Sequence, residues 1–300
     1  MPDDDWLDLR TTPYRTIRDL RDELDGDLVA LGHYHYDHAM PPIPEQSSDQ
    51  RLVFGFLISG LQRYRMDGED LILRGGQGIR FLPGSVYSSA DLPEQRGEFF
   101  WLVIHAPERR RVQLPGFYKK AAHSWWQRAT DDQLPRRFPL SSEIRADLAH
   151  LIQSDVTNLD DKDSMHQTRL TLGYGSLLLS LYSLLGEPWE NHSSKGILQA
   201  LRLIENRLSD ADLDTDSLAQ EANISVSLFH VRFKEETGLP PADYLRHRRI
   251  IEAQRILSQP NPPAVTELAM KLGFSSSQYF ATVFKRYTRL SPSEWSKRQA

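Results

Sequence analysis

The pattern of apolar and polar positions divides the chain into a β-rich front part and a helical back part. Between about residues 28 and 105, short apolar or alternating segments such as LVALGHYHY and FFWLVIH recur, rich in β-branched and aromatic residues. Gly, Pro, Asp and Ser separate these segments, as in MDGED and RGGQG. Short strands at such spacing predict an antiparallel sandwich or barrel.

Helical periodicity begins after a stretch at 106–139 that contains several prolines and that we predict to be irregular. The segment 141–159 places Ile144, Leu148 and Leu151 on one face, and the segment 164–187 repeats Leu and Tyr at helical spacing. We therefore predict a helix pair over about 140–186, with its leucine-rich face in the core.

The back of the chain is predicted to form a separate domain. Residues 186–195, GEPWENHSSK, have the composition of a linker, and the pattern from Gly196 onward is helical with short breaks. A length of 300 residues also suggests about two domains. The expected class is α+β, with a β-rich domain at 1–190 and an all-α domain at 196–300.

The net charge of −5, from 36 Lys and Arg against 41 Asp and Glu, argues at first against a nucleic-acid partner. The charge is uneven, however, because residues 195–300 hold 15 basic and 12 acidic residues while residues 1–194 hold 21 and 29. The chain has no cysteine, which excludes disulfides, cysteine-bearing zinc sites and thiol chemistry. Without an apolar run of about 20 residues or a signal peptide, we expect a cytoplasmic protein and no membrane partner.

An internal repeat is the most informative feature of the last hundred residues. Residues 218–244 align with residues 268–295, mostly at an offset of 51. The offset pairs Phe with Phe, Lys with Lys, Thr with Thr and Pro with Pro, as in Phe233 with Phe284. Two copies are too few for a stacked array, so we interpret them as two copies of one small unit.

Each unit has the pattern of a helix-turn-helix. Ala219 and Ala269 are small residues that allow two helices to cross closely, and each lies four residues before a turn residue, Asn223 or Gly273. Ser225 in the first unit, and Ser275 or Ser276 in the second, can cap the next helix. An ordinary pair of helical hairpins is the alternative, but the repeated turn chemistry favours nucleic-acid binding.

The segment between the units predicts a rigid connector. Pro241 can occupy the first turn of a helix, and 18 residues from 241 to 258 would span about 27 Å. Successive major grooves on one face of DNA lie about 34 Å apart, so this helix could place two recognition helices in adjacent grooves. Its arginines Arg246, Arg248 and Arg249 could contact phosphate or be paired internally.

The repeat and its connector resemble the DNA-binding domain of the AraC/XylS family of bacterial transcription regulators, over residues 197–299. The resemblance rests on Phe233-Lys234, Thr237-Gly238, Tyr244-Leu245, Arg249, Ala253, Ile256-Leu257, Val265, Glu267-Leu268-Ala269, Gly273-Phe274, Tyr279-Phe280, Phe284-Lys285 and Pro292-Ser293-Glu294-Trp295. It implies seven helices, two helix-turn-helix units and sequence-specific promoter binding. Val231 and Thr282 stand where the family commonly has Arg, and Arg289 stands where Gly is common.

Without those two arginines, base readout is expected to depend on hydroxyl, amide and apolar contacts. The expected base-reading residues are Ser227, His230, Val231, Ser277, Gln278 and Thr282. The expected phosphate contacts are Lys234, Arg249, Lys285 and Arg286. For Gln278 an alternative is a capping box with Ser275, and for His230 it is simple exposure to solvent.

The front domain resembles the cupin-like sensor domain that is common in the same family. The carrying segment runs from HYHYDH to FFWLVIH, with its glycines and Leu82-Pro83 in the expected order. A metal site would need more ligands than His33 and His35, since His38 follows at odd spacing and Tyr87 stands where a later His is needed. We therefore expect no metal and no cofactor. A ligand pocket is expected to include His33, His35, Tyr64, Arg80 and Trp101, although the same residues could belong to the strand surface.

Three functions were weighed against these features. The first is a regulator, not an enzyme, that binds double-stranded promoter DNA, contacts RNA polymerase, activates transcription as a homodimer and responds to a small-molecule effector. The second is a metal-dependent cupin enzyme that carries a DNA-binding appendage. The third, an alkyl-transfer DNA repair protein, is excluded because the chain has no thiol acceptor. The repeat favours the first.

Overall fold

The computed structural model describes residues 10–89, 92–107, 112–153, 164–185 and 194–299. The strands are β1 (Arg15–Asp19), β2 (Leu28–Tyr36), β3 (Gln46–Ser47), β4 (Arg51–Met66), β5 (Glu69–Arg74), β6 (Gln77–Phe81), β7 (Val86–Ser88), β8 (Gly97–His105) and β9 (Arg137–Pro139). The helices are α1 (Lys119–Ala129), α2 (Ser142–Gln153), α3 (Ser164–Leu184), α4 (Lys195–Asn206), α5 (Thr215–Glu221), α6 (Val226–Thr237), α7 (Pro241–Leu257), α8 (Val265–Lys271), α9 (Ser277–Thr288) and α10 (Pro292–Gln299).

This order of elements confirms the α+β class and the helix pair, which consists of α2 and α3. The stretch at 106–139 is not wholly irregular as predicted, because it contains α1 and β9. Residues 186–193 of the expected linker lie outside the described residues, so the domain limits of 1–190 and 196–300 stay a prediction.

The long strand β4 organises the antiparallel sheet. Its first half pairs with β8 and β6, and its second half pairs with β5 and β7. Between the halves lies Gly60 at a φ of 103°, where a side chain would collide with the carbonyl oxygen of Arg96. This glycine allows one strand to serve both parts of the sheet.

The two faces of the sheet carry two separate cores, as the alternation of side chains in a strand requires. Phe54 and Phe56 of β4 face the core that includes the helices α1, α2 and α3, with Trp125 fully buried in it. Val53 and Leu57 face the opposite core, which is lined by tyrosines and Trp101. The second face therefore encloses the interior of the β-rich domain.

Helices α4–α10 form the back domain around α7. The first half of α7 packs with α4, α5 and α6 through Tyr244 and Ile251, and its second half packs with α8, α9 and α10 through Ile250 and Leu257. Because α7 contributes to both cores, this helix fixes the position of one unit relative to the other.

Candidate functional site

The two units repeat the same local geometry. In each unit a seven-residue helix, α5 or α8, precedes a turn and a 12-residue helix, α6 or α9. The turn residues Asn223 and Gly273 both have a positive φ, 54° and 71°. Because Asn and Gly are the residues that tolerate this left-handed conformation best, the sequence dictates both turns.

The N-termini of α6 and α9 are capped by serine. Ser225 accepts a hydrogen bond from the backbone N–H of Leu228 at 3.4 Å, and Ser276 accepts one from that of Tyr279 at 3.1 Å. Ser276, and not Ser275, is thus the cap of the second unit. Gln278 then occupies the second helical position rather than the third, so a capping box with Ser275 does not form.

Each long helix buries an aromatic face and exposes a polar one. Phe229 and Phe233 of α6 are fully buried, as are Phe280 and Phe284 of α9. Of the expected base-reading residues, Ser227, His230, Val231, Gln278 and Thr282 are exposed and Ser277 is partly buried. The hydroxyl of Thr282 donates to the carbonyl of Gln278 at 2.9 Å. The exposed faces of α6 and α9 are called the recognition faces below.

Three of the four expected phosphate contacts, Lys234, Lys285 and Arg286, are also exposed near these faces. Arg249 is not, because its guanidinium is buried and donates to the carbonyls of Leu208, Asp210 and Gly273 at 3.1, 2.6 and 3.1 Å. It therefore connects the turn of the second unit to the loop between α4 and α5. This structural role replaces the phosphate contact predicted for Arg249.

The other arginines of α7 are paired internally as well. Arg248 forms a two-pronged pair with Glu205 at 2.9 and 2.6 Å, and Arg246 pairs with Asp243. Burial alone would raise the pKa of Glu205, but the hydrogen bonds and charge of Arg248 and the charge of Arg74 lower it. The cationic stretch of the connector thus stabilises the domain from inside.

The β-rich domain contacts the C-terminal end of each recognition helix. A side-chain carbon on Gly75 would collide with the carbonyl oxygen of Thr237, and one on Gly238 would collide with that of Ile58. At the second unit, the N–H of Ala39 donates to the carbonyl of Tyr287 at 2.8 Å. The two positions differ by one residue in the repeat, because Tyr287 corresponds to Glu236, the residue before Thr237.

A cavity of about 200 Å³ lies inside the β-rich domain. Its lining consists of Arg15, Ile17, Ala30, Gly32, Tyr34, Tyr36, Ile43, Gln46, Val53, Tyr87, Glu94, Trp101 and Val103. Trp101 was expected there. His33 and His35 alternate with Tyr34 and Tyr36 along β2, so they lie on the opposite face of the strand, which corrects their predicted place in the pocket.

Three of the expected pocket residues have structural partners instead. His33 contacts Glu98 at 3.0 Å and stacks on Phe100. Tyr64 is buried edge-on against Trp101 without reaching the cavity lining. Arg80 is fully buried and donates to the carbonyls of Ala129, Asp131, Leu134 and Pro135, at the end of α1 and in the loop that follows it.

Sequence reasoning missed the carboxyl group that lines the cavity, Glu94. Its Oε2 accepts a hydrogen bond from the Tyr36 hydroxyl at 3.2 Å, and burial raises its pKa to about 7. Glu94 stands in an aperiodic segment between β7 and β8, where no strand or helix pattern assigns it a face. The alternation in β2 could have placed Tyr34 and Tyr36 together.

In the described part of the chain, no group of three or more His, Asp or Glu side chains is arranged to hold a metal ion. None of the helices in this part is long and apolar enough to cross a membrane.

Two helix-turn-helix units on a shared helix define a DNA-binding domain, and comparison with known proteins agrees. Residues 218–298 match the family described as "Helix-turn-helix domain". The chain is 28% identical over 163 residues to the HTH-type transcriptional activator RhaS of Escherichia coli, covering 54% of this chain and 58% of RhaS. It is 25% identical over 201 residues to the activator RhaR of Salmonella dublin, covering 64% and 67%.

A solved AraC-type regulator from Chromobacterium violaceum is 24% identical, with a TM-score of 0.33, covering 35% of this chain and 92% of that structure. The C-terminal region of the protein is a helix-turn-helix domain of the AraC type, which confirms the resemblance in its sequence. The chain spans less than two thirds of the length of the RhaS relatives that it matches.

The buried role of Arg249 can be tested by replacing it with methionine. We expect Arg249→Met to lower the free energy of unfolding by about 2–3 kcal/mol, because three carbonyls lose their donor. Arg255→Met is the control, since Arg255 is exposed and pairs with Glu252 one turn away. Urea unfolding measures both. Unchanged stability together with weaker DNA binding would restore the phosphate role.

Glu94 makes the stability of the protein depend on pH. Its pKa rises from 4.5 in the unfolded chain to about 7 in the folded one, so its carboxylate form opposes folding as pH rises through this window. We expect Glu94→Gln to raise the free energy of unfolding by about 2–3 kcal/mol at pH 8 and to change it little at pH 5.

Glu98→Gln serves as the control for this pH series. The hydrogen bond from His33 lowers the pKa of Glu98, so this substitution should destabilise the protein near neutral pH. Thermal unfolding measured from pH 5 to pH 8 shows whether each substitution stabilises or destabilises the protein. A Glu94→Gln protein that tracks the wild type across the range would contradict the burial argument.

Proposed function

We propose that the protein is a sequence-specific transcription regulator that reads two adjacent major grooves with α6 and α9. The supporting observation is the pair of exposed recognition faces, equal in length and turn geometry and fixed on the buried helix α7. A general helical bundle has no need to repeat the same left-handed turn and serine cap twice.

Within this function, the recognition faces select sequence and the basic side chains supply affinity. Ser227, His230 and Gln278 are short or planar hydrogen-bonding groups that reach base edges, while Val231 suits the methyl group of thymine. Lys234, Lys285 and Arg286 lie beside them and would contact phosphate, which makes binding dependent on salt. Ser277 and Thr282 complete the proposed reading surface.

We further propose that the β-rich domain is a sensor for a small-molecule effector and that the regulator activates transcription by contacting RNA polymerase. With DNA and polymerase as the proposed partners, we also propose that the protein acts in the cytoplasm. The metal-enzyme alternative gains no support from the described residues, because His33 and His35 face away from the cavity and His33 contacts Glu98.

A second copy of the chain is proposed to pair through α3. Met165, Leu172 and Leu179 of this helix are 57%, 67% and 58% exposed, and they follow one another at intervals of seven residues. Seven residues make nearly two helical turns, so the three side chains form one stripe, as in a helix that packs against another helix.

The double variant Leu172→Glu/Leu179→Glu tests this pairing. Charges on the stripe should convert the homodimer to a monomer in sedimentation equilibrium, because buried carboxylates would oppose each other. Tyr118→Glu is the control, since Tyr118 is 88% exposed and lies outside the stripe. A wild-type chain that is already monomeric at micromolar concentration contradicts the proposal.

The proposed DNA function is tested by sequencing genomic fragments retained by the purified protein, followed by two variants. Gln278→Ala should relax the preference at one base pair by about 1–3 kcal/mol, because the amide reads a base edge. Lys285→Ala should weaken binding to all sequences alike and reduce the salt dependence.

Fluorescence anisotropy with selected and scrambled duplexes at two salt concentrations separates these effects. Equal losses on both duplexes for Gln278→Ala would assign that residue no reading role. If the wild type prefers no sequence at moderate salt, the regulator proposal fails.

A further inference from the structure

The cavity in the β-rich domain combines a ring of aromatic side chains with one carboxyl group. Tyr34, Tyr36, Tyr87 and Trp101 line it, and Glu94 lies among them. Tyr36 and Tyr87 are buried, with 7% and 4% of their surfaces exposed, and Glu94 is equally enclosed at 7%. Aromatic faces attract organic cations, and a carboxylate pairs with them directly.

Glu94 is only half satisfied by the protein itself. The Tyr36 hydroxyl donates to its Oε2, while its buried Oε1 has no hydrogen-bond partner among the described residues. A buried carboxylate oxygen without a donor is costly, so the site favours a molecule that brings a donor and a positive charge.

The charged and titratable neighbours of Glu94 are one arginine and several phenols. Arg15 of β1 lines the cavity, is partly exposed and donates to the backbone carbonyl of Arg10. Tyr64 and Tyr87 face Glu94 from β4 and β7, and burial raises the pKa of both phenols, so they stay neutral. Among the described residues that line the cavity, Arg15 is the only cationic side chain; its charge lowers the pKa of Glu94, but burial raises that pKa more.

We propose that this cavity binds a small organic amine, whose ammonium group pairs with Glu94 among the aromatic side chains that line the cavity. A cavity of about 150 Å³ is enough to hold benzene, so about 200 Å³ accommodates one ring, or an alkyl chain of similar volume, with an amino group. That this amine is the effector of the regulator rests on the function proposed above.

The chain after Glu94 leads from the cavity to the DNA-binding domain within two residues. Gln95 donates to the side-chain oxygen of Gln254 on α7 at 2.8 Å, and Arg96 lies over the ring of Tyr287 on α9 at 5.2 Å. The carbonyl of Glu94 accepts from the N–H of Met40, next to the Ala39 that contacts α9. An amine bound at Glu94 would therefore affect residues that contact α7 and α9.

Calorimetric titration of the full-length chain at pH 8 tests the proposal. The probes are benzylamine, 2-phenylethylamine and hexylamine, each compared with the carboxylate and the alcohol of matching length. We expect at least one amine to bind more tightly than both of its counterparts. Glu94→Gln should weaken that amine about ten- to hundred-fold, the usual effect of losing a charged hydrogen bond.

Two controls keep the result tied to the cavity. Glu98→Gln removes a carboxylate that pairs with His33 on the other face of the sheet, and it should leave the affinity unchanged. Tyr36→Phe keeps the aromatic ring and frees the second oxygen of Glu94, so amine binding should persist. The affinity should also fall between pH 8 and pH 6, because a proton then competes with the amine for Glu94.

The proposal is overturned if every acid or alcohol binds as well as its amine, if no amine binds, or if Glu94→Gln and Glu98→Gln behave alike. The DNA-binding function is tested separately, by measuring the binding of selected duplexes with and without the bound amine. Amine binding through Glu94 without any change in DNA binding would keep the site and remove its role as an effector site.

Discussion

The burial of α7 is the constraint on which the DNA-binding domain depends. Twelve of its 17 residues are buried, because one helix-turn-helix unit packs on each half. Two of its buried arginines have partners inside the protein, because Arg248 pairs with Glu205 and Arg249 donates to three carbonyls. Burial likewise lowers the pKa of His247 to about 3 and keeps it neutral. A helix buried over most of its length between two units ties the position of one unit to that of the other.

Features that follow from periodicity could be predicted from the sequence. The repeat gave both turns and both aromatic faces of the recognition helices, because turn residues and buried positions obey local rules. The alternation of side chains along β2 also predicts that Tyr34 and Tyr36 share one face of the strand and that His33 and His35 lie on the other. The predicted place of His33 and His35 in the pocket was wrong because it rested on the chemistry of imidazole and not on their position along the strand.

Features that depend on tertiary partners could not be predicted in this way. Arg249 has the same local sequence whether it contacts phosphate or three carbonyls, and only the neighbouring loop decides between them. Glu94 gains its character from burial beside Tyr36, although the two residues are far apart in the chain. The helix α1 was not predicted because prolines flank it, at Pro115 and Pro135, and because its pattern of apolar and polar residues is short.

The contacts of the β-rich domain with the repeat have a geometric consequence. The turn at Gly75 meets the end of α6 at Thr237, and the loop at Ala39 meets the end of α9 at Tyr287, one residue before the equivalent Thr288. The β-rich domain therefore contacts the C-terminal ends of both recognition helices, at positions that differ by one residue in the repeat. Because α7 fixes the two units relative to each other, these two separate contacts restrict rotation of the β-rich domain about the DNA-binding domain.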